Sequence, residues 1–102
     1  MDAPCTSLDQ VRQRIDQIDR ELVTLLAKRG GLVTQAARFK KTTDDVRAPA
    51  RVEQVITKVR GLAEQTGASP VVVEQVYRAM IAAFINEELD THAALQADTR
   101  TP

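Results

Sequence analysis

The chain has 102 residues, room for one domain, and is 43% hydrophobic but only 3% aromatic with no tryptophan, which suits helices packed through Leu, Val, Ile and Ala. Formal net charge is zero, and neither a basic arm for nucleic acid nor a basic membrane face is present. The single cysteine, Cys5, excludes an internal disulfide and a thiolate metal set, and no apolar run of about twenty residues suggests a membrane span or a signal peptide. A cytoplasmic location is the default expectation.

Residues 1 to 6 are short and polar, and are expected to be loose, as are residues 97 to 102. Between them lies a single domain. Ser7 can cap a first helix, with Gln10 completing a capping box and Asp9 complementing the positive end of the dipole. From residue 8 to residue 41 no proline intervenes, and apolar residues recur at helical spacing: Leu8, Val11, Ile15, Ile18, Leu22 and Leu25. A stripe with this period predicts burial along one side of a helix. The same phase then carries Arg29, Val33, Ala36 and Lys40. Arg12 lies one residue off the stripe.

A helix over residues 8 to 41 would be about 50 Å long, against a radius of gyration near 13 Å for a compact domain of about 100 residues. Such a rod needs a partner, and the simplest is a second copy of the chain. Gly30 and Gly31 are its weak point, since each mid-helix glycine costs about 1 kcal/mol relative to alanine. The stripe continues in phase beyond them through Leu32, Val33, Ala36 and Phe39, so one helix is expected, with the glycines allowing close backbone packing against another helix.

Residues 42 to 48 read as a polar connection. Pro49 opens a second helix, where its missing N–H is harmless. Its stripe is Val52, Val55 or Ile56, Val59, and Leu62 or Ala63, with Arg51 in the first turn and Gly67 as terminator. Ser69 caps a third helix and Pro70 takes its first position. The third stripe runs Val73, Tyr77, Met80 or Ile81, Phe84 and Glu88, and the helix can continue through Leu89 and Leu95. The expectation is all-α: three helices, long, medium and long.

Arg29, Lys40 and Glu88 interrupt apolar stripes. Burying unpaired charge is expensive, so an anionic partner should meet the cations. Glu88 pairing with one of them as a structural ion pair is the plain reading. It leaves positive charge over. Arg12, Arg29, Lys40 and Arg51 with Glu88 suggest a pocket for a small dianion, because a guanidinium can donate two hydrogen bonds to a carboxylate. Arg14, Arg20, Lys28, Arg38, Lys41, Arg60 and Arg78 read as mostly solvated surface. His92 is the only histidine and reads as surface. No nucleophile has a base beside it, no metal-ligand spacing occurs, and Gly30-Gly31 lacks phosphate-loop and dinucleotide patterns. No cofactor is expected. The remaining chemistry is catalysis by positioning and fixed electrostatics.

The stretch Val11 to Arg29, V-R-Q-R-I-D-Q-I-D-R-E-L-V-T-L-L-A-K-R, resembles the opening pattern of the all-helical chorismate mutase family: an arginine, an I-D-x-I-D core and a second arginine. Residues 36 to 40, A-A-R-F-K, and 48 to 52, A-P-A-R-V, resemble the branch containing isochorismate pyruvate lyases. The resemblance covers roughly residues 8 to 95. It implies an intertwined homodimer of three-helix chains with two shared sites and a small dianionic enol-pyruvyl cyclohexadiene as substrate. By the same resemblance Arg12 would come from the partner chain and contact one carboxylate, and Arg29 the other. Lys40 would donate to the ether oxygen and the nearby carboxylate, and Arg51 would support ring-side polar groups or the entry loop. Glu88 stands where many members have glutamine. Ala48 stands where several mutases have an aspartate that meets the ring hydroxyl.

The resemblance implies a cofactor-free pericyclic reaction, with chorismate rearrangement to prephenate as the first expectation. Isochorismate cleavage to salicylate and pyruvate, favoured by Ala48 and by Arg38-Phe39-Lys40, is the alternative, and one site can host both. A non-catalytic dimeric helical module is the reading outside enzymes. An amino-substituted chorismate is a further substrate that the residues do not rank. Glu88 can serve as carboxylate or as acid. If it donates to the ether oxygen as an acid, turnover rises toward lower pH and Glu88→Gln flattens the alkaline loss.

Overall fold

The computed structural model describes residues 3–100, with side chains through residue 94. Its elements are α1 (Leu8–Ala37), α2 (Thr43–Arg47), α3 (Pro49–Thr66) and α4 (Pro70–Arg100). No strand occurs among the described residues, so the all-α expectation holds, with its three helices long, medium and long. The short α2 is an addition, formed inside the segment read as a polar connection. The ends of the chain expected to be loose fall partly outside the described residues. The described chain divides into two compact units between Val33 and Thr34.

The first unit is the body of α1 with the segment before it. Ser7 caps the helix, its Oγ accepting from Gln10 N at 3.1 Å. The reciprocal half of the expected capping box is displaced by one residue, because Gln10 Oε1 accepts from Thr6 N at 2.8 Å. Arg14 Nη1 donates to Ala3 O at 2.8 Å and ties down the preceding segment. The helix runs unbroken through Gly30 and Gly31. A Cβ built on Gly31 would meet nothing within 4 Å. Close backbone packing therefore does not account for Gly31 within this chain. α1 buries none of its residues, and Leu8, Val11, Ile15, Ile18, Leu22 and Leu25 are all exposed. Apolar periodicity specifies which face seeks cover, and among the described residues that face stays exposed.

The second unit begins at Thr34 with the last turn of α1, which ends at Ala37 rather than residue 41. Beyond it the hydrogen bonds tighten from i→i−4 to i→i−3: Phe39 N to Ala36 O at 3.0 Å and Lys40 N to Ala37 O at 3.2 Å. Phe39, counted in the stripe, is 85% exposed as a result. Thr42 then opens α2 with a full capping box. Ala48 closes α2 and opens α3 in one residue, at φ 39° and ψ 60°. This is left-handed backbone that a residue with a Cβ adopts at a cost.

Pro49 is the first residue of α3, and Gly67 ends it at φ 79°, its N–H donating to Ala63 O. Ser69 Oγ accepts from Val72 N at 3.3 Å and Pro70 begins α4. Where the α3 stripe left alternatives, packing selects Ile56, Val59 and Ala63. They form the buried core with Val46 of α2 and Ile81 of α4. Burying a Val or Ile side chain contributes about 1.5–3 kcal/mol, so these few residues hold α2, α3 and α4 together.

Two arginines assigned to solvated surface have structural partners. Arg78 Nη1 and Nη2 donate to Glu53 across from α4 to α3, both at 2.9 Å, and Arg78 Nε donates to Glu74 at 2.8 Å. Arg60 Nη1 donates to the other Glu74 oxygen at 2.6 Å. These guanidinium hydrogen bonds, Arg78's foremost, hold the Glu53 and Glu74 carboxyls below the usual carboxylate range and raise Arg78.

Gly61 gives a direct test of this packing. It sits inside α3, and a Cβ there would meet nothing within 4 Å. Gly61→Ala should stabilise the protein by about 0.5–1 kcal/mol, because alanine loses less conformational freedom on entering a helix. Equilibrium denaturation checks this, and a destabilised variant would mean that another surface occupies the space.

Candidate active site

Lys40 leaves the tight turn after α1, and Glu88 projects from α4, 48 residues further along. Lys40 Nζ lies 3.1 Å from Glu88 Oε2 and 3.5 Å from Oε1. Their side chains are 23% and 9% exposed. Among the charges that interrupt the stripes, these two meet. The ion pair explains how a carboxylate can occupy a stripe position: its charge is balanced where water is largely excluded. An ammonium has three donors, so Lys40 can keep its bond to Glu88 and still present N–H to a further oxygen.

The turn carrying Lys40 is fixed on both sides. Upstream is the bond from Lys40 N to Ala37 O. Downstream, Asp45 Oδ2 accepts from Lys41 N at 3.0 Å and from Thr42 N at 3.2 Å. Asp45 N donates in return to Thr42 Oγ1 at 3.1 Å. The two backbone N–H groups, Lys41's first, hold the Asp45 carboxyl below its usual range, with a smaller contribution from the Lys40 charge. The pattern Thr42-Thr43-Asp44-Asp45 is a capping-box signature. It was available in the sequence, and the reading of a plain polar connection passed over it.

Arg51 is exposed in the first turn of α3, two residues past Pro49, and forms no hydrogen bond or ion pair among the described residues. Ala48 immediately precedes α3 and offers no acid to a ligand. Arg12 and Arg29 belong to the first unit, both on α1; Arg12 is exposed and Arg29 half-buried. His92 is half-buried on α4, and Cys5 is a free, half-buried thiol. No group of side chains able to hold a metal ion occurs among the described residues. No helix there is long and apolar enough to cross a membrane.

A partly buried cation held by a carboxylate, with donors to spare, is able to meet an anionic oxygen. A family model described as chorismate mutase type II matches residues 11–89. Isochorismate pyruvate lyase from Pseudomonas aeruginosa is 33% identical over 85 residues, covering 83% of this chain and 84% of the relative. The matched span runs from the start of α1 past Glu88 and so includes Arg12, Arg29, Lys40, Arg51 and Glu88. The chain belongs to the chorismate mutase type II family.

Proposed function

We propose that this protein is an isochorismate pyruvate lyase, an enzyme that needs no cofactor and forms salicylate and pyruvate. The observation that carries this reading is the similarity to a lyase over 83% of this chain and 84% of the relative. It reverses the order of the sequence-based expectation, in which chorismate rearrangement came first. Ala48 supports the change: a ring hydroxyl positioned as in chorismate would find no carboxylate there. Chorismate rearrangement to prephenate is kept as a second activity, favoured by the family description.

The lyase step balances without a co-reactant. The hydrogen on the carbinol carbon moves to the enol methylene, and the neighbouring ring C–O bond breaks. The ring becomes aromatic salicylate, and the departing arm becomes pyruvate. The protein's task is to fold the enol-pyruvyl arm over the ring and to stabilise charge growing on the ether oxygen. Lys40 supplies donors to that oxygen, steadied by Glu88. Arg12 and Arg29 bind the two carboxylates, and Arg51 supports the ring-side groups.

The same reading makes the working unit a homodimer in which Arg12 comes from the partner chain. The exposed apolar stripe of α1 supports it, since a continuous apolar face of this length is a surface awaiting cover. A second copy brings an identical stripe, and a two-fold axis lets the two cover each other.

Purified protein offered isochorismate and chorismate separately should give salicylate and pyruvate in equal amounts from the first, and slower prephenate formation from the second. Efficient prephenate formation with no isochorismate cleavage would make it a mutase. Turnover of neither by a folded dimer would leave a non-catalytic helical module.

A further inference from the structure

We propose that Asp45 is a positioning residue for Lys40: by holding the backbone just after Lys40 against α2, it aims the ammonium before substrate arrives. The proposal rests on the reading above, in which Lys40 acts on the substrate's ether oxygen.

The geometry is specific. Lys40 has four rotatable side-chain bonds, and its direction depends on the backbone that carries it. That backbone has left α1 and has not yet entered α2. A single oxygen, Asp45 Oδ2, accepts from both Lys41 N and Thr42 N. Without it, both amides would turn to water, and the backbone between Lys40 N, which donates to Ala37 O, and Thr42 O, which accepts from Val46 N, would lose its tie to α2. A five-residue helix is far too short to persist alone. α2 persists through its capping box and through Val46, which is 2% exposed in the core shared with α3 and α4. Since α4 also bears Glu88, Asp45 links the backbone of Lys40 to the helix that carries its partner. The depressed Asp45 carboxyl agrees, because its largest causes are the two backbone N–H groups.

The alternative role for Asp45 is electrostatic, its negative charge acting on Lys40 directly. Asp45→Asn separates the two, since its amide oxygen can still accept from Lys41 N and Thr42 N while the charge is gone. The positioning role predicts that Asp45→Ala lowers kcat about 10- to 100-fold with KM changed little, as misplacement of a catalytic group by about 1 Å can cost 10²-fold. Asp45→Asn should recover most of the loss. In a Lys40→Met background, Asp45→Ala should cost nothing further.

The order of the turn is read independently of activity. Hydrogen exchange at the Lys41 and Thr42 amides and ¹⁵N relaxation at Lys40 Nζ should show loosening in Asp45→Ala and retention in Asp45→Asn, with α3 amides unchanged. If Asp45→Ala does not fold, Asp45→Ser takes its place, because its hydroxyl is too short to reach both amides. A wild-type protein that turns over neither substrate removes the reading above, while the exchange and relaxation data still test the turn. An Asp45→Asn variant as slow as Asp45→Ala overturns the proposal, as does an equal loss with and without Lys40. An ammonium that stays ordered in Asp45→Ala overturns it as well.

Discussion

Lys40→Met should lower kcat for isochorismate cleavage by about 10²- to 10³-fold, the cost of removing a donor aimed at developing negative charge. KM should move much less, because the lost interaction grows as the C–O bond breaks. The substitution also strands Glu88, whose side chain is only 9% exposed. Removing one member of a buried pair costs about 3–5 kcal/mol, and the partial exposure of Lys40 reduces that to about 1–3 kcal/mol. Stability and catalysis can therefore be read apart. The double variant Lys40→Met with Glu88→Gln removes both charges and should regain much of the melting temperature, yet stay slow. Recovery of turnover along with stability would mean that Lys40 serves the fold alone. Glu88→Gln by itself adds a second measurement, the pH dependence of turnover at matched ionic strength. In the free protein Glu88 accepts from Lys40, whereas an acid donating to the ether oxygen would favour turnover at lower pH. Identical profiles for wild type and Glu88→Gln, both folded, would remove Glu88 protonation from the mechanism.

Arg12→Ala and Arg29→Ala should each be nearly inactive, with losses of about 10²-fold or more, because in the proposed site each would remove a charge-assisted pair to a substrate carboxylate. Unfolding the two variants together and refolding the mixture should restore activity. If each site takes Arg29 from its own chain and Arg12 from the partner, a heterodimer contains one intact site and one doubly damaged site. Random pairing makes half the dimers mixed, so recovery should approach about one quarter of the wild-type rate. Sedimentation should give twice the 11.2 kDa chain mass for wild type and variants alike. Heterodimers without recovered activity would assign Arg12 to its own chain. A fully active monomer would remove both the shared site and the role given to the α1 stripe.

Parts of this architecture are legible residue by residue. Ser7, Pro49, Gly67, Ser69 and Pro70 mark helix ends through their own backbone and side-chain chemistry, and the structure places them there. The α3 stripe offered Ile56 or Val55 and Ala63 or Leu62, neighbours that differ by one step around the helix. Local periodicity does not separate such pairs, and the choice of Ile56 and Ala63 follows from the faces that α2 and α4 present. α2 escaped because five residues carry too little periodicity to register, although its cap was readable at Thr42 and Asp45. Arg60 and Arg78 look like surface in any single-helix reading. Their partners Glu53 and Glu74 lie on whichever helix packs alongside or one turn away.

The sequence by itself determined the helical class, the ends of α3 and the start of α4, and the charges that interrupt apolar faces. Those properties depend on residues within a few positions of one another. It also identified the α1 face that seeks cover, but not what covers it, because periodicity records a need for burial and not its partner. Only the tertiary structure decided that Glu88 takes Lys40 among the available cations, and that Asp45 ties down the turn beneath it. The first pairing spans 48 residues of chain. An ion pair at that separation exists only where packing of apolar faces has already set two backbones within reach of each other.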